Sequence, residues 1–179
     1  MPTPLARSLQ PPLAQRAIFI LEPDLEQRAR LSRALDEGEI HQPRRFFARS
    51  HEIIEELIGV LRGASPPLLC FLRCGGPDAA CLDVLRWIRL HDVLREVSVV
   101  VLANEDDAGR RRDALQLGAQ CYAGEALGPM DLREIAHEAE TVCIAASGHS
   151  AFDLPCNLLL ASDAAAPVIE FPASTQTAI

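Results

Sequence analysis

Residues 66–89, "PPLLCFLRCGGPDAACLDVLRWIR", contain the pattern from which the fold of this chain follows. An apolar run predicts a buried strand over 67–73, and this strand ends on Arg73. A Gly-Gly-Pro turn comes next, and the apolar positions after it have the spacing of a helix. Because a guanidinium stays charged, a buried strand that ends on Arg73 raises the question of what this side chain binds.

The same succession of strand, turn and helix recurs along the chain. Continuous apolar runs predict strands at 16–24, 43–49, 67–73, 96–104 and 119–124. A helical pattern follows each strand, and its predicted N-caps and first-turn proline are Ser50, Asp78, Asn104 and Pro129. Five buried strands that alternate with five helices predict an α/β fold: a flavodoxin-like, doubly wound, five-stranded parallel sheet of order 2-1-3-4-5.

The predicted fold accounts for residues 16–148. Residues 1–15 are rich in proline and have no periodicity, so we expect an N-terminal arm. Residues 149–179 mix Ala, Ser, Pro and Asp with two small apolar patches. We expect a C-terminal tail that is mostly disordered, or that docks through these patches on this or another subunit.

Charge and hydropathy narrow the choice of partners and compartment. The net charge is −8, and all 17 basic residues are arginine. This balance argues against nucleic acid or an anionic membrane as the main partner. The N-terminus has no apolar signal region, and no apolar stretch is long enough to span a bilayer. We therefore expect a cytoplasmic protein.

The cysteines show no C-x-x-C spacing and no clustering with histidine of the zinc type. They lie at positions 70, 74, 81, 121, 143 and 156. In a reducing compartment we expect them to be small core residues rather than disulfide partners or metal ligands. No metal and no cofactor is predicted.

Three segments carry a resemblance to a known family: "AIFILEPD" at 17–24, "LDVLRWIR" at 82–89 and "ALQLGAQCY" at 114–122. From about residue 16 to 146 the chain resembles the receiver domain of bacterial two-component response regulators. The resemblance implies the flavodoxin-like fold and a role in phosphorelay signal transduction. It also implies protein partners, namely a sensor kinase or an output protein.

The positions that match the family's phosphorylation site are Glu22, Pro23, Asp24, Arg73, Ala103 and Glu125. At these places the family has a pair of acids for Mg²⁺, an aspartate that accepts the phosphoryl group, a Thr or Ser, and a Lys. Arg73 replaces the aspartate, and a protonated guanidinium cannot attack phosphorus. It also repels Mg²⁺. We therefore predict a pseudo-receiver: the fold without phosphotransfer, and not an enzyme.

Two interpretations of Arg73 are open at this point. We expect a salt bridge to Glu22, Asp24 or Glu125, which would hold the strand ends in one state. The alternative is that Arg73 extends to solvent as a relic of a lost site.

The predicted function is a signalling adaptor that works without phosphorylation through the face of helix 4, strand 5 and helix 5. The switch and interface residues that the resemblance implies are Tyr122, Arg111, Arg112 and Arg133. A homodimer through this face is an open alternative. Two other functions are also open: a redox switch or enzyme centred on Cys74, whose thiol the neighbouring Arg73 would activate, and a sensor of small anions at the crevice.

Overall fold

The computed structural model describes residues 12–75, 80–104, 107–123 and 127–148. The strands are β1 (Ile18–Leu21), β2 (Arg44–Phe47), β3 (Leu69–Cys74), β4 (Ser98–Ala103) and β5 (Cys121–Ala123). The helices are α1 (Leu25–Glu37), α2 (Ser50–Leu61), α3 (Ala80–Leu90), α4 (Ala108–Gln116) and α5 (Pro129–Gly148). Short 3-10 turns cover Leu13–Gln15 and Asp92–Leu94. No helix in these ranges combines the length and apolar character that a bilayer span requires.

The five strands form one sheet of order β2-β1-β3-β4-β5, and all neighbouring pairs are parallel. This confirms the predicted fold class and strand order. Leu21 of β1 pairs with Leu72 of β3, and Cys74 of β3 pairs with Ala103 of β4. Because the strands are parallel, the residues that follow them meet at one edge, which we call the carboxyl edge.

Helices cover both faces of the sheet, as continuous apolar strands require. In β3, Cys70, Leu72 and Cys74 contribute to a core layer shared with α2, α3 and α4. The alternate residues Leu69 and Phe71 contribute to the second layer, shared with α1 and α5. Strand alternation therefore directs neighbouring residues of β3 into different layers, which matters for Arg73 and Cys74 below.

Helix α2 begins differently from the prediction. Ser50 is its first residue rather than its N-cap, which is Arg49. The carboxylate of Glu52 accepts hydrogen bonds from the backbone N–H groups of Ala48 and Arg49, at 2.7 and 3.1 Å. These backbone hydrogen bonds lower the pKa of Glu52. Glu52 therefore satisfies the N–H groups of the two residues before the helix, whereas a serine cap would accept from N–H groups of the first turn.

The start of α4 also differs. Its N-cap is Asp107 rather than Asn104, and the Asp107 carboxylate accepts from the backbone of Gly109 and Arg110 at 2.8 and 3.1 Å. The predicted cap of α3, Asp78, lies outside the described residues. Pro129 is the first residue of α5, as predicted. Proline suits that position because its missing N–H has no partner in the first turn.

The chain enters the sheet through a short turn and a buried arginine. The turn Leu13–Gln15 coincides with the last three residues of the predicted arm. Arg16 is buried and donates a hydrogen bond to Sγ of Cys143 in α5, at 3.3 Å. The predicted tail, 149–179, lies outside the described residues.

Candidate functional site: the carboxyl edge of the sheet

Three central strands bring the predicted site residues together. Glu22 directly follows β1, Arg73 is the penultimate residue of β3, and Ala103 ends β4. Because β3 lies between β1 and β4, a side chain at the end of β3 can contact both neighbours. This is the place where open α/β sheets carry their functional groups.

Arg73 bridges these neighbours. Its Nε donates to Oε2 of Glu22 at 2.5 Å, and its Nη1 lies 3.4 Å from the backbone oxygen of Ala103. The Arg73 side chain is 13% exposed and that of Glu22 is 2% exposed. The predicted salt bridge to Glu22 is therefore present, and it is enclosed rather than solvated.

The Glu22 carboxylate uses both of its oxygens within the chain. Oε2 accepts from Arg73, and Oε1 accepts from the backbone N–H of Asp24 at 3.1 Å. The backbone of Glu22 is held as well: its carbonyl accepts from Nε of Arg28 at 2.5 Å, and its N–H donates to the carbonyl of Phe47 at 3.0 Å. Glu22 is thus anchored to β2, α1 and β3 at the same time.

The other two expected partners of Arg73 have different positions. Oδ1 of Asp24 accepts from the backbone N–H groups of Glu26 and Gln27, at 2.8 and 2.9 Å, and so caps α1. Glu125 lies outside the described residues. Pro23, between Glu22 and Asp24, is exposed.

The described residues at this edge do not fit the Mg²⁺ ion that receivers bind there. Mg²⁺ requires several oxygen ligands in near-octahedral geometry. The buried carboxylate of Glu22 is already neutralised by a guanidinium, and Asp24 is a helix cap. Within the described ranges, no group of three or more His, Cys, Asp or Glu residues could hold a metal ion.

The described residues at the ends of β3 and β4 also do not supply the parts of a phosphoryl acceptor. Transfer to a protein needs a nucleophile and cations that neutralise the transferred group. At the tip of β3 the chain has an arginine that is already paired, and Ala103, which is buried, has no hydroxyl group. What this arrangement can do chemically is to hold three strands together by one ion pair and one weak hydrogen bond.

The predicted switch and interface residues do not form one cluster. Tyr122 is buried in the core layer that includes α4, and the guanidinium carbon of Arg111 lies 5.8 Å from its ring centroid. This is a cation–π distance. Arg112 is exposed on α4, whereas Arg133 of α5 forms an ion pair with Glu39 in the turn after α1.

The structure contains a disulfide bond between Cys74 and Cys81, with Cα atoms 5.4 Å apart. The expectation of plain core thiols is therefore wrong for this pair. Both residues are also buried, in the same core layer. The only signal in the sequence was their position on either side of the Gly-Gly-Pro turn. Cys70 and Cys121 are free cysteines, Cys143 accepts the hydrogen bond from Arg16, and Cys156 lies outside the described residues.

The structure also corrects the proposed activation of Cys74 by Arg73. Neighbouring residues of a strand point to opposite faces. Cys74 joins the layer of α2 and α3, while Arg73 turns to Glu22 at the end of β1. Adjacency in sequence therefore does not bring the guanidinium to the thiol.

Sequence reasoning missed Arg89, near the end of α3. Its guanidinium donates to the carbonyls of Arg95, Val97 and Gly118 at 2.8–3.2 Å, with a longer contact of 3.5 Å to that of Leu94. Burial lowers the pKa of Arg89 below its ordinary value. These carbonyls precede β4 and β5, so Arg89 ties α3 to the opposite, amino edge of the sheet.

Comparison with known proteins gives a fold. No family model and no curated protein matches the chain. Among solved structures, the phosphorylated cyanobacterial phytochrome response regulator RcpA matches with 21% identity and a TM-score of 0.57, over 74% of this chain and 96% of that one. A CheY-like response regulator receiver domain protein from Methanospirillum hungatei matches with 14% identity and a TM-score of 0.59, over 73% and 98%.

A response regulator receiver domain from Rhodospirillum rubrum matches with 18% identity and a TM-score of 0.54, over 75% of this chain and 95% of that one. The chain therefore has the fold of response regulator receiver domains, and nearly the whole of each of these domains is covered. The resemblance noted in the sequence is confirmed at this level.

Proposed function

We propose that this chain is a pseudo-receiver: a signalling adaptor of the two-component type that works without phosphorylation and is not an enzyme. The observation that supports this most is the enclosed pair of Arg73 and Glu22 at the place where receivers bind phosphoryl group and metal. A working receiver gains and loses a phosphoryl group at this place. This chain instead has a guanidinium that its own carboxylate binds.

The proposal follows from the charge balance of the edge. In a receiver, phosphorylation changes the charge at the strand ends, and the fold responds. Here Arg73 is permanently protonated and Glu22 has both oxygens engaged. Since neither group is available for transfer, the proposed adaptor stays in one conformation, and its signalling depends on which protein it binds.

We propose the face of α4, β5 and α5 as the contact surface, which the resemblance to receivers implies. On α4, Arg111, Arg112 and Leu115 are exposed, and Leu115 is 46% exposed. Met130, at the start of α5, is 72% exposed. Arginine and methionine are enriched in protein interfaces. This surface suits a sensor kinase or an output protein, and a second copy of the chain is the alternative.

Nucleic acid and membrane are not among the proposed partners, because the chain carries a net charge of −8. Cytoplasmic localisation remains a prediction, to be checked by cell fractionation. The small-anion sensor that the sequence left open is not proposed, because the carboxylate of Glu22 already occupies the guanidinium of Arg73.

The test is capture of partners by the full chain with and without acetyl phosphate and Mg²⁺. We expect the same partner in both conditions, with affinity unchanged. The double variant Arg111→Glu/Arg112→Glu should weaken capture about tenfold, because like charges at an interface are unfavourable. Arg62→Glu, an exposed position at the end of α2, is the matched control. Capture that requires acetyl phosphate would overturn the proposal, and so would equal capture by all three proteins.

A further inference from the structure

We propose that Cys74 and Cys81 form a reversible dithiol–disulfide site, a redox modification point at the junction of β3 and α3. This goes beyond the adaptor function and does not depend on it. The sequence suggested a redox switch or enzyme centred on Cys74, with Arg73 as its activator. The structure provides Cys81 as the partner instead.

The position of the two residues favours this pairing. Cys74 is the last residue of β3, and Cys81 is the second residue of α3. Their Cα atoms are 5.4 Å apart, a separation that is ordinary for a disulfide, and they lie seven positions apart in sequence. The bond thus joins the end of β3 to the first turn of α3, one residue from the buried pair of Arg73 and Glu22.

The surroundings distinguish this pair from the other described cysteines. Burial raises the pKa of Cys70 to about 12, and burial also raises the pKa of Cys121 and Cys143. These thiols therefore stay protonated and poorly reactive at neutral pH. Cys81 lies in the first turn of α3, where the helix dipole favours a thiolate. Cys81 is accordingly the better leaving group of the pair.

The low exposure of the two cysteines limits which reagents can reach their disulfide bond. Cys74 is 5% exposed and Cys81 is 3% exposed. A low-molecular-weight thiol is small enough to reach such a bond at the sheet edge through local opening of the structure, whereas a folded protein reductant needs a larger opening. In the predicted cytoplasmic setting, a disulfide of this kind is more typical of redox sensing than of permanent structure.

The chemistry balances with a glutathione-type thiol as reductant. Its thiolate attacks Sγ of Cys74, the S–S bond breaks, and Cys81 leaves as a thiolate. A second thiolate attacks the mixed disulfide and releases Cys74, so that two electrons pass to the protein and one small disulfide forms. The reverse exchange with that small disulfide restores the bond, and solvent supplies or accepts the protons.

The redox state of the two cysteines would therefore control the junction of β3 and α3. In the disulfide form, the end of β3 and the first turn of α3 are covalently joined beside Arg73. In the dithiol form this cross-link is absent, and packing in the shared core layer is what holds the two residues together. Redox state would thus set how readily this part of the carboxyl edge opens, while the sheet itself is unchanged.

The sequence offers a clean readout, because trypsin cleavage after Arg73 and Arg86 releases one peptide that contains both cysteines and no other. The full chain is equilibrated in buffers of varied ratio of reduced to oxidised glutathione, quenched in acid, unfolded and labelled with N-ethylmaleimide. We expect the peptide to change from no label to two labels across the series. The peptide with Cys121 should carry one label throughout and is the internal control.

Two variants complete the test. In Cys74→Ser and Cys81→Ser, the remaining thiol should label in every buffer, and circular dichroism should show the native fold. Hydrogen exchange in the first turns of α3 should slow at least about tenfold on oxidation of the natural chain only. Two labels in every buffer would show that no disulfide forms, and no label even in excess reduced glutathione would show a permanent bond. Either result overturns the proposal.

Discussion

Each edge of the sheet holds an arginine, and the two arginines are satisfied in different ways. Arg73, at the carboxyl edge, binds the buried carboxylate of Glu22 and contacts one backbone carbonyl. Arg89, at the amino edge, binds backbone carbonyls, two of its nitrogens donating to that of Gly118. Arg73 thus belongs to a pair of opposite charges in a mostly buried site. Arg89 is a cation that connects loops by hydrogen bonds.

The difference shows which edge depends on side chains that are specific to this chain. Backbone carbonyls are present whatever the side chains are, so the partners of Arg89 come with the fold. The partner of Arg73 is a single glutamate, and either residue would be uncompensated without the other. We infer that the amino edge is structural, while the carboxyl edge is where this chain departs from a working receiver.

The largest expected effect is at the carboxyl edge. Arg73→Ala should lower the free energy of unfolding by about 3–5 kcal/mol, because it leaves the Glu22 carboxylate buried and unpaired. Urea unfolding measures this, and a double-mutant cycle with Glu22→Ala should show strong coupling between the two positions. A cost below about 1 kcal/mol, the value of an exposed pair, would mean that Arg73 does not stabilise the strand ends and is a relic of a lost site.

The amino edge should respond less. Arg89→Ala should cost about 2–3 kcal/mol, since its carbonyl partners lie near the surface and water replaces part of the lost hydrogen bonding. Arg89→Lys should recover little of this, because one ammonium cannot reach all of those carbonyls. The control is Arg86→Ala on the same helix, which loses only an exposed pair with Asp83. Equal stability of Arg89→Lys and the natural chain would contradict the account.

Reduction of the disulfide should have an effect of about 2–2.5 kcal/mol, as expected for a closed loop of this length. Chemical denaturation with and without reductant measures it, and Cys74→Ser/Cys81→Ser should match the reduced chain. The two edges should also differ in how the effect of reduction combines with the effect of an arginine substitution. Reduction should be additive with Arg89→Ala, at the far edge, and non-additive with Arg73→Ala, next to the bond. Additivity with both would argue against coupling within the carboxyl edge.

The sequence was sufficient for the sheet, and it placed Glu22 among three candidate partners of Arg73. Apolar runs marked the five strands, and the rule that parallel strands end at one edge placed Glu22 close to Arg73. The disulfide was not predictable, because it depends on how α3 returns over the end of β3 rather than on a known spacing. Arg89 was not predicted because its partners are backbone carbonyls, and these are present in every residue type.

Helix starts were predicted with mixed success for a related physical reason. Several polar residues near a helix start can cap it, and the choice depends on where the preceding strand ends. Thus Asp107 caps α4 in place of Asn104. At the start of α2, Ser50 lies within the helix, and Glu52 accepts from the backbone of Ala48 and Arg49. Pro129 had no such competitor and begins α5 as predicted.

If Arg73 and Glu22 replace the phosphorylation site, this chain should not accept a phosphoryl group, and intact-mass measurement tests that expectation. The full chain is incubated with acetyl phosphate and Mg²⁺, in parallel with a receiver domain that has an intact aspartate site. We predict that the receiver gains the mass of one phosphoryl group and that this chain does not change. A phosphoryl adduct on this chain, mapped to the carboxyl edge around Glu22 and Asp24, would contradict the account.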